Sequence, residues 1–445
     1  MERTSVELFA GGGGLVQASE AAGFRHLLLN EFARRACETL EANHFTGHPE
    51  DVSVDVLAKA VEELPSLDEI ADPSDHCELR RGVPLVRGDV RRLDMSFLRE
   101  RGVDLLAGGP PCQPFSLGGV AKGDEDERNM FPEMFRAVRE IRPKAVMCEN
   151  VRGLTRKSFE PYFEYLKREL GLPFVRRAKG ANWRDHDRVL RDAEAAGDTD
   201  PSERYRVMQF DVNAADYGVP QIRNRVILLA FRADIPVDVE KVRESLQATH
   251  SDAALRRTLR DGSYWGRGRH SKVPRHVRDR VDERLGRQLQ LDAEDDGRLP
   301  WRTLRDAVHD LPPIDPEKLD KVTEQGFPDH VGWPGARIYD GHTPNELDKP
   351  AKTVKAGVHG VPGGESVMLL DQLEESADGS RTYAHRYMTV RETARVMTFR
   401  DDWKLAGPRG ERMRQLGNAV PVELGRVFAA AVAKALDLAE GRECP

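Results

Sequence analysis

A single cysteine follows two prolines in the segment Gly109–Gln113, which reads Gly-Pro-Pro-Cys-Gln. The apolar run 103–107 precedes this segment, and an apolar run that stops at Gly-Gly-Pro-Pro predicts a buried strand ending in a rigid loop. Because open α/β sheets bind their ligands at strand ends, the Cys112 thiol is expected at such an edge. Cys112 is therefore a candidate nucleophile. The alternative is a buried structural cysteine, since free cysteines are among the most buried residues.

Two further segments supply groups that can act on the same substrate. Glu149 follows the apolar run 144–148, so its carboxyl group is expected at the same edge, where it can exchange a proton with a substrate. Arg223 and Arg225 open a later apolar run and are expected on one strand face, because strands have a side-chain period of two. Two guanidinium groups on one face can hold a carbonyl, a phosphate or a carboxylate. The alternatives are a capping or ion-pairing glutamate and two surface arginines.

Four consecutive glycines, residues 11–14, lie between the first apolar run and the first predicted helix. Such a turn permits positive φ and brings a ligand close to the backbone N–H groups at a helix N-terminus. Glu31 follows the second strand, where a carboxylate can accept hydrogen bonds from ribose hydroxyls. Asp89 follows the third, where it can accept one from an adenine amino group, and no lysine completes a phosphate-binding P-loop. The glycines alone suit nicotinamide, flavin or S-adenosyl cofactors, but the three strand ends together indicate an adenosine-type ligand.

These side chains need a sheet that brings several strand ends to one edge. The sequence predicts strands at residues 5–10, 26–30, 84–87, 103–107, 144–148 and 223–231. It predicts helices at residues 15–22, 34–42, 131–140 and 159–170. Strands that alternate with helices indicate an α/β fold with a doubly wound, mostly parallel, Rossmann-like sheet.

The alternating pattern ends near residue 235, which predicts a division of the chain into domains. Residues 1–235 are expected to form a catalytic and cofactor-binding domain, and residues 236–385 a second, smaller domain. Helical periodicity returns in residues 386–445, which are expected to pack again on the first domain. Residues 176–204 are strongly charged and predict a solvated insertion between two neighbouring strands.

Composition narrows the class of protein. The chain has 445 residues, a net charge of −7 and five scattered cysteines without a CxxC pair, so neither disulfides nor a metal site are expected. The longest aliphatic run, 226–231, is too short to span a bilayer, and a cytoplasmic protein without a membrane partner is expected. Residues 256–287 carry eleven Arg and Lys against four Asp and Glu, together with Tyr264 and Trp265. Such a segment can follow a phosphate backbone or form a solvated helical surface.

In chain order, these motifs resemble those of the cytosine-C5 DNA methyltransferases. The motifs are Phe-Ala-Gly-Gly-Gly-Gly at 9–14, Pro-Cys-Gln at 111–113, Glu-Asn-Val at 149–151, Gln-x-Arg-x-Arg at 221–225, Arg-Glu-x-x-Arg at 391–395 and Gln-x-Gly-Asn-Ala-Val-Pro at 415–421. The long segment before residue 391 falls where the family carries its target-recognition domain, and Lys-Thr-Val at 352–354 resembles a short Thr-aliphatic element of that family. The resemblance implies DNA (cytosine-5)-methyltransferase activity of the bacterial restriction-modification type. It also implies S-adenosyl-L-methionine as the cofactor and double-stranded DNA as the substrate.

The resemblance also assigns roles to single residues. It implies that Cys112 is the nucleophile, that Glu149 contacts cytosine N3, and that Arg223 and Arg225 complete the catalytic set. Residues expected to contact S-adenosylmethionine are Phe9, Gly11, Gly12, Gly13, Gly14, Glu31, Asp89, Val90, Gly109, Pro111, Asn418, Ala419 and Val420. Residues expected to contact DNA are Gln113, Ser116 and Thr353. Position 7 departs from the family, because it carries Glu where Asp is usual.

The implied chemistry explains why a thiol and a carboxyl group are needed together. Carbon 5 of cytosine is a poor nucleophile until a thiolate adds to carbon 6, and the base must first leave the duplex stack. An RNA cytosine-C5 methyltransferase, an orphan regulatory DNA methyltransferase and a catalytically silent DNA-binding module remain alternatives. A nicotinamide dehydrogenase shares only the glycine turn. Pairing with a restriction endonuclease is the role that the resemblance suggests, and a monomer suffices for the chemistry.

Overall fold

The structure is a computed structural model of the chain. It describes residues 3–66, 69–70, 76–111, 129–287, 296–314, 327–338, 343–356, 366–375 and 379–442. Packing divides the chain into two compact units. The first contains Met1–Val212, Asn224–Leu246 and Gly425–Pro445, and the second contains Asn213–Arg223 and Gln247–Leu424. These boundaries differ from the predicted ones, because residues 386–424 pack within the second unit and only the chain from Gly425 onward packs in the first.

An eight-stranded sheet forms the centre of the first unit. Its strands are β1 Arg3–Leu8, β2 Phe24–Glu31, β3 Thr46–Pro49, β4 Pro84–Arg87, β5 Leu105–Gly108, β6 Ala145–Val151, β7 Tyr205–Asn213 and β8 Asn224–Arg232. They lie in the order β3-β4-β2-β1-β5-β6-β8-β7. The pairs from β3 to β6 are parallel, whereas β8 runs antiparallel to β6. The predicted doubly wound, mostly parallel sheet is confirmed.

Helices flank this sheet, and several of them place apolar side chains in the core of the unit. They are α1 Gly14–Ala21, α2 Arg34–Ala42, α3 Val54–Glu62, α4 His76–Arg80, α5 Phe131–Ile141, α6 Glu160–Gly171, α7 Trp183–Ala196 and α8 Val239–Ser245. In α5, Phe131, Met134, Phe135 and Val138 repeat at three, four and seven residues, and all four side chains are buried in the core. The helix that follows the Cys112 segment is thereby held firmly against the sheet.

Residues 176–204 contain the packed helix α7, and the expectation that the strands flanking them are neighbours is wrong. Leu190 of α7 lies in the core of the first unit, and the Trp183 ring lies edge-on to Tyr162 with centroids 5.4 Å apart. The Tyr165 hydroxyl lies 3.2 Å from His186 Nδ1. The flanking strands β6 and β7 are not neighbours, because β8 lies between them. The charged composition belongs to the outer face of an amphipathic helix.

The second unit combines short helices with two small sheets. Its strands are β9 His250–Ser251, β10 Leu299–Pro300, β11 Val367–Glu375 and β12 Arg381–Tyr387, and its helices are α9 Asp252–Arg260, α10 Arg275–Arg287, α11 Leu304–Val308, α12 Val390–Val396 and α13 Arg409–Asn418. The last helix, α14 Val422–Ala439, continues into the first unit. Tyr264 and Trp265 are buried in a core with Leu255 and Val277. The two aromatic rings therefore belong to the core of this unit, and the surface of residues 256–287 is left to its charged side chains.

Two observations bear on membrane and metal binding. Within the described residues, no helix is both long enough and apolar enough to cross a membrane. In the same part of the chain, no group of three or more His, Cys, Asp and Glu side chains is arranged to hold a metal ion.

Candidate active site

The residues that lead to Cys112 are tied to strand β6. Gly108 at the end of β5 pairs with Cys148 in β6, so Gly109, which follows β5, lies beside Glu149 within β6. A Cβ atom built on Gly109 would lie 3.6 Å from Glu149 Oε2. Asn150 Nδ2 donates a 2.9 Å hydrogen bond to the carbonyl of Pro110. These contacts hold the Gly-Pro-Pro segment against Glu149.

Hydrogen bonds also hold the residues on both sides of the segment that carries Cys112, Pro111 before it and Asn129 and Met130 after it. Met130 N donates a 3.2 Å hydrogen bond to Pro111 O. Asn129 Nδ2 donates to the hydroxyl of Tyr162 at 2.6 Å, and its side-chain oxygen accepts from Phe131 N at 3.4 Å. Cys112, Gln113 and Ser116 lie outside the described residues.

Glu149 and Arg225 form an ion pair across strands β6 and β8. Val151 pairs with Arg225 and Glu149 with Ile227, which places Glu149 and Arg225 diagonally on one face of the antiparallel pair. Arg225 Nε lies 2.6 Å from Glu149 Oε1, and the two side chains are 12% and 11% exposed. Because Oε1 carries the ion pair, Oε2 remains on the side of Gly109.

The strand period predicted that Arg223 and Arg225 share one strand face, but Arg223 does not lie on the face of Arg225. It precedes β8, and its side chain is 1% exposed within the second unit. Nη1 donates to Val354 O at 2.8 Å, and Nη2 donates to the carbonyls of Gly417 and Ala419 at 2.8 and 2.9 Å. A planar guanidinium presents its donors in a fixed fork, so Arg223 holds three main-chain carbonyls in place. It acts as a positioning residue in the second unit.

Thr353 lies on a segment that is bonded to the residues preceding Arg223. Ile222 N donates to Ala351 O at 2.8 Å, and the Thr353 hydroxyl donates to Ile222 O at 2.8 Å. Val354 N donates to Gln221 Oε1 at 3.0 Å. Thr353 is half-buried, so part of this residue remains accessible to a ligand.

The Gly-Asn-Ala-Val segment packs against the Lys-Thr-Val segment in the same unit. A Cβ atom on Gly417 would lie 2.4 Å from the backbone nitrogen of Ala356, so only glycine fits at this position. Asn418 is exposed at the end of α13, whereas Ala419 and Val420 are buried. Among the residues expected to contact the cofactor here, Asn418 therefore has the accessible side chain.

The glycine turn after β1 adopts the backbone that its composition predicts. Phe9, Gly11 and Gly13 have φ values of 57°, 55° and 88°, and Gly13 N donates to Ala10 O at 3.0 Å. Gly12 and Gly14 are buried beside them, and Gly14 opens α1. Such a turn directs backbone N–H groups toward a ligand at the helix N-terminus.

Glu31 at the end of β2 is bound to this turn. Its Oε2 accepts a 2.7 Å hydrogen bond from Gly11 N, and its Oε1 accepts a 2.6 Å bond from Ala33 N. Burial raises the pKa of Glu31. A carboxylate has about four lone-pair sites, so Glu31 can still accept a hydrogen bond from a ribose hydroxyl.

The Asp89 carboxylate is engaged by a neighbouring arginine. Arg91 Nε lies 2.8 Å from its Oδ2, and Arg91 N donates to its Oδ1 at 3.0 Å. This contact lowers the pKa of Asp89. Val90 is buried directly after it. An adenine amino group would have to share the Asp89 carboxylate with Arg91.

A family model describes the chain. The model for C-5 cytosine-specific DNA methylases matches residues 78–171 and 201–434, which is more than half of the chain. The chain belongs to this family. The matched residues include the Cys112 segment, Glu149, Arg223 and Arg225. The residues between the two matches, 172–200, contain all of α7.

Curated relatives and solved structures that resemble this methylase are consistent with its membership of the C-5 cytosine-specific DNA methylase family. It is 27% identical over 442 residues to the type II methyltransferase M.PspPI of a Psychrobacter species, covering 98% of this chain and 80% of the relative. It is 26% identical to M.NgoMIV of Neisseria gonorrhoeae, covering 98% and 99% of the two chains. The crystal structure of the Dnmt2 methyltransferase of S. pombe shares the fold, with a TM-score of 0.52, 14% identity and coverage of 98% and 99%.

These findings confirm the predicted activity. The methylase is a DNA (cytosine-5)-methyltransferase, and the family match does not favour an RNA enzyme or a catalytically silent DNA-binding module. They name no cofactor and identify no site residue.

Sequence reasoning missed Phe32 of the methylase near the glycine turn, and it did not predict the burial of Glu7. Phe32, directly after Glu31, is 76% exposed, although large apolar side chains are usually buried. An aromatic residue after the acidic end of the second strand was the available signal. Glu7 is buried, and its Oε2 has no hydrogen-bond partner among the described residues. Burial raises the pKa of Glu7 well above its ordinary value, and the charges of Glu20 and Glu31 raise it further.

Proposed function

We propose that the methylase transfers a methyl group from S-adenosylmethionine to carbon 5 of a flipped-out cytosine in a specific duplex sequence, through a covalent bond between Cys112 Sγ and carbon 6. The Glu149–Arg225 ion pair beside the residues that lead to Cys112 is the observation that carries this proposal. It supplies an oriented carboxyl group at the edge where the thiol segment begins.

The residues around the glycine turn fit an adenosine-bearing cofactor. Glu31 offers lone pairs to a ribose, Phe32 offers an exposed ring to an adenine, and the N-terminus of α1 offers N–H groups to a carboxylate. When bound, S-adenosylmethionine supplies a methyl group activated by a sulfonium. We assign Phe9, Gly11, Gly13, Glu31 and Phe32 as its contacts in the first unit.

Each step of the proposed methyl transfer can be assigned to side chains of this protein. The Cys112 thiolate adds to carbon 6, the Sγ–C6 bond forms, and the ring electrons move toward N3 and carbon 5. Glu149 Oε2 holds a proton at N3 as negative charge develops there, while Arg225 fixes Oε1. Carbon 5 then takes the methyl group, a base removes the carbon 5 proton, and the Sγ–C6 bond breaks to regenerate the thiolate.

The second unit is proposed as the target-recognition part of the methylase. Thr353 is partly accessible on the segment that Arg223 holds, and the surface arginines of α9 and α10 suit a phosphate backbone. The relatives M.PspPI and M.NgoMIV are type II methyltransferases, and we propose that this methylase protects cytoplasmic DNA, paired with a restriction endonuclease. A monomer is sufficient for this chemistry.

Expression in a bacterial host that lacks cytosine methylation tests the proposal. Bisulfite sequencing should show protected cytosines at one short recurring sequence in cells with the wild-type chain, and none in cells with Cys112→Ser. Protected cytosines in both cultures would contradict the role of Cys112. Soluble wild-type protein that binds S-adenosylmethionine but protects no DNA would contradict the duplex substrate.

A further inference from the structure

A cavity of about 430 Å³ lies in the first unit where α5 ends and α6 passes beside it. It is within the usual size range of small-ligand sites. Five arginines line it: Arg99, Arg136, Arg139, Arg176 and Arg177. Two glutamates, Glu140 and Glu169, are the acidic side chains in its wall. The formal balance of these charges is positive.

One of the two glutamates is already paired with an arginine. Glu140 Oε1 accepts from Arg136 Nη1 at 2.7 Å, and its Oε2 accepts from Met95 N at 3.0 Å. Arg136 also contacts Glu133, with Nε 2.7 Å from Oε2. Arg136 and Glu140 therefore neutralise each other inside the wall and leave the charge of the cavity to the remaining side chains.

Three other arginines have main-chain carbonyls as hydrogen-bond acceptors. Arg99 Nε donates to Glu140 O at 3.3 Å, Arg139 Nη1 donates to Pro173 O at 3.2 Å, and Arg177 Nε donates to Ala181 O at 2.6 Å. A carbonyl fixes the direction of a guanidinium without cancelling its charge. These contacts therefore orient the three cations and leave their positive charge in place.

The second glutamate offsets part of this charge. Glu169 is 7% exposed; burial raises the pKa of its carboxyl group, and the charges of Arg139 and Arg177 act to lower it. One glutamate against Arg99, Arg139, Arg176 and Arg177 leaves the formal balance positive. Arg176 and Arg177 lie at the exposed side of the cavity. The cavity thus combines a buried floor with a positively charged, accessible rim.

We propose that this cavity binds a compact phosphate-bearing ligand, either free pyrophosphate or the polyphosphate of a nucleotide, on Arg139, Arg176 and Arg177. Arginine forks match phosphate oxygens in pairs, and a concave site of this volume suits a compact anion better than a rigid duplex. The site is separate from the active site. Arg139 lies in the last turn of α5, on the order of 13 Å along the helix from Met130.

Two of the three arginines proposed to bind the ligand lie outside the segments that the family model matches. Arg176 and Arg177 lie in residues 172–200, between the two segments that the family model matches. The packing of α7 on α6 anchors the chain that follows these two arginines, as the edge-on contact of Trp183 with Tyr162 shows. Nothing in the proposed methyl transfer requires these residues, so the two proposals fail independently.

Calorimetric titration of the full-length protein with pyrophosphate and with ATP, at constant ionic strength, tests the inference. The variant Arg176→Gln/Arg177→Gln is compared with Arg188→Glu, which changes the net charge equally from an exposed position on α7 outside the cavity. We expect wild type and Arg188→Glu to bind both ligands and the double variant to bind about tenfold more weakly. The methylation rate should be the same in all three proteins.

Two results would overturn the inference. The first is the absence of pyrophosphate and ATP binding to the wild-type protein. The second is equal binding by the double variant and the wild type. If the double variant instead lost affinity for non-substrate duplex DNA while the wild type bound neither small anion, the arginines would contact a nucleic-acid backbone and the compact ligand would be excluded.

Discussion

Arg225 Nε lies 2.6 Å from Glu149 Oε1, although the two residues come from different strands of the sheet. The antiparallel register of β6 and β8 creates this contact by placing the residues diagonally on one face. The ion pair orients the carboxyl group so that Oε2 lies on the side of Gly109. In the proposed mechanism, this contact orients the Glu149 carboxyl group toward a cytosine that lies next to the Cys112 segment.

Replacing Glu149 tests that arrangement. Glu149→Gln keeps the size of the side chain but cannot hold and transfer a proton in the same way, so the single-turnover rate of methylation should fall by about 10²–10⁴-fold. Arg225→Lys keeps the charge without the fixed fork and should give a smaller loss. DNA affinity measured by filter binding should change little in either variant. A wild-type rate for Glu149→Gln would contradict the assigned role.

Arg223 is expected to contribute mainly to the stability of the fold and not directly to methyl transfer. Arg223→Lys removes the fork that holds the carbonyls of Val354, Gly417 and Ala419. Losing charged hydrogen bonds in a buried site should cost about 2–4 kcal/mol, seen as a lower midpoint of thermal unfolding. Arg275→Lys, at a highly exposed position on α10, is the control and should leave the midpoint unchanged. An unchanged midpoint in both variants would show that Arg223 does not position the three carbonyls.

Gly417 is predicted to tolerate no side chain. The Cβ of Gly417→Ala would meet the backbone nitrogen of Ala356 at 2.4 Å, and a backbone atom cannot move aside as a flexible side chain can. Overpacking of this kind should cost about 1–3 kcal/mol in chemical denaturation. Gly286→Ala on α10 meets nothing within 4 Å and should be stabilising by about 0.5–1 kcal/mol. Equal behaviour of the two variants would refute the close approach.

The buried carboxyl group of Glu7 should make the free energy of unfolding depend on pH. Burial raises its folded-state pKa well above the ordinary glutamate value of about 4.3, so the folded chain binds a proton that the unfolded chain releases. The stability contributed by Glu7 is present below that ordinary value and is lost as pH rises toward the folded-state pKa. Glu7→Gln should therefore raise the thermal midpoint at pH 8 and have little effect near pH 4. A variant that melts below wild type at pH 8 would contradict this account.

The central strands and helices were predictable because their patterns are local. Arg34–Ala42 and Pro84–Arg87 have the predicted ends, since each is an uninterrupted pattern bounded by turn residues. Strand β3, Thr46–Pro49, was missed because it contains Gly and Pro and has no apolar run. In β7, the polar residues Arg206 and Gln209 hid the strand pattern.

The candidate site was predictable to the extent that strand ends determine it. Glu149 and the Gly-Pro-Pro segment come together because β5 and β6 are adjacent and parallel. The partners of Arg223 were not predictable, because Val354 and Gly417 are distant in sequence and offer only main-chain carbonyls. The packing of α7 also depends on tertiary contacts, since Trp183 contacts Tyr162 of α6.

Burial distinguishes two of the other described thiols from the proposed nucleophile. It raises the pKa of both Cys37 and Cys148 to about 12, so neither carries an appreciable fraction of thiolate near neutral pH. Cys148 lies in β6 directly before Glu149 and is therefore the thiol next to that carboxyl group in sequence. These two thiols should remain unmodified when the enzyme reacts.

The most direct measurement of the central claim is mass spectrometry of the protein after reaction with duplex DNA that contains 5-fluorocytosine at its target site, in the presence of S-adenosylmethionine. Fluorine cannot leave carbon 5 as a proton does, so the Sγ–C6 bond should persist. We predict a covalent adduct on the peptide that contains Cys112 and none with Cys112→Ser. Absence of an adduct from wild-type protein that methylates unmodified DNA, or an adduct on Cys148, would contradict the proposed nucleophile.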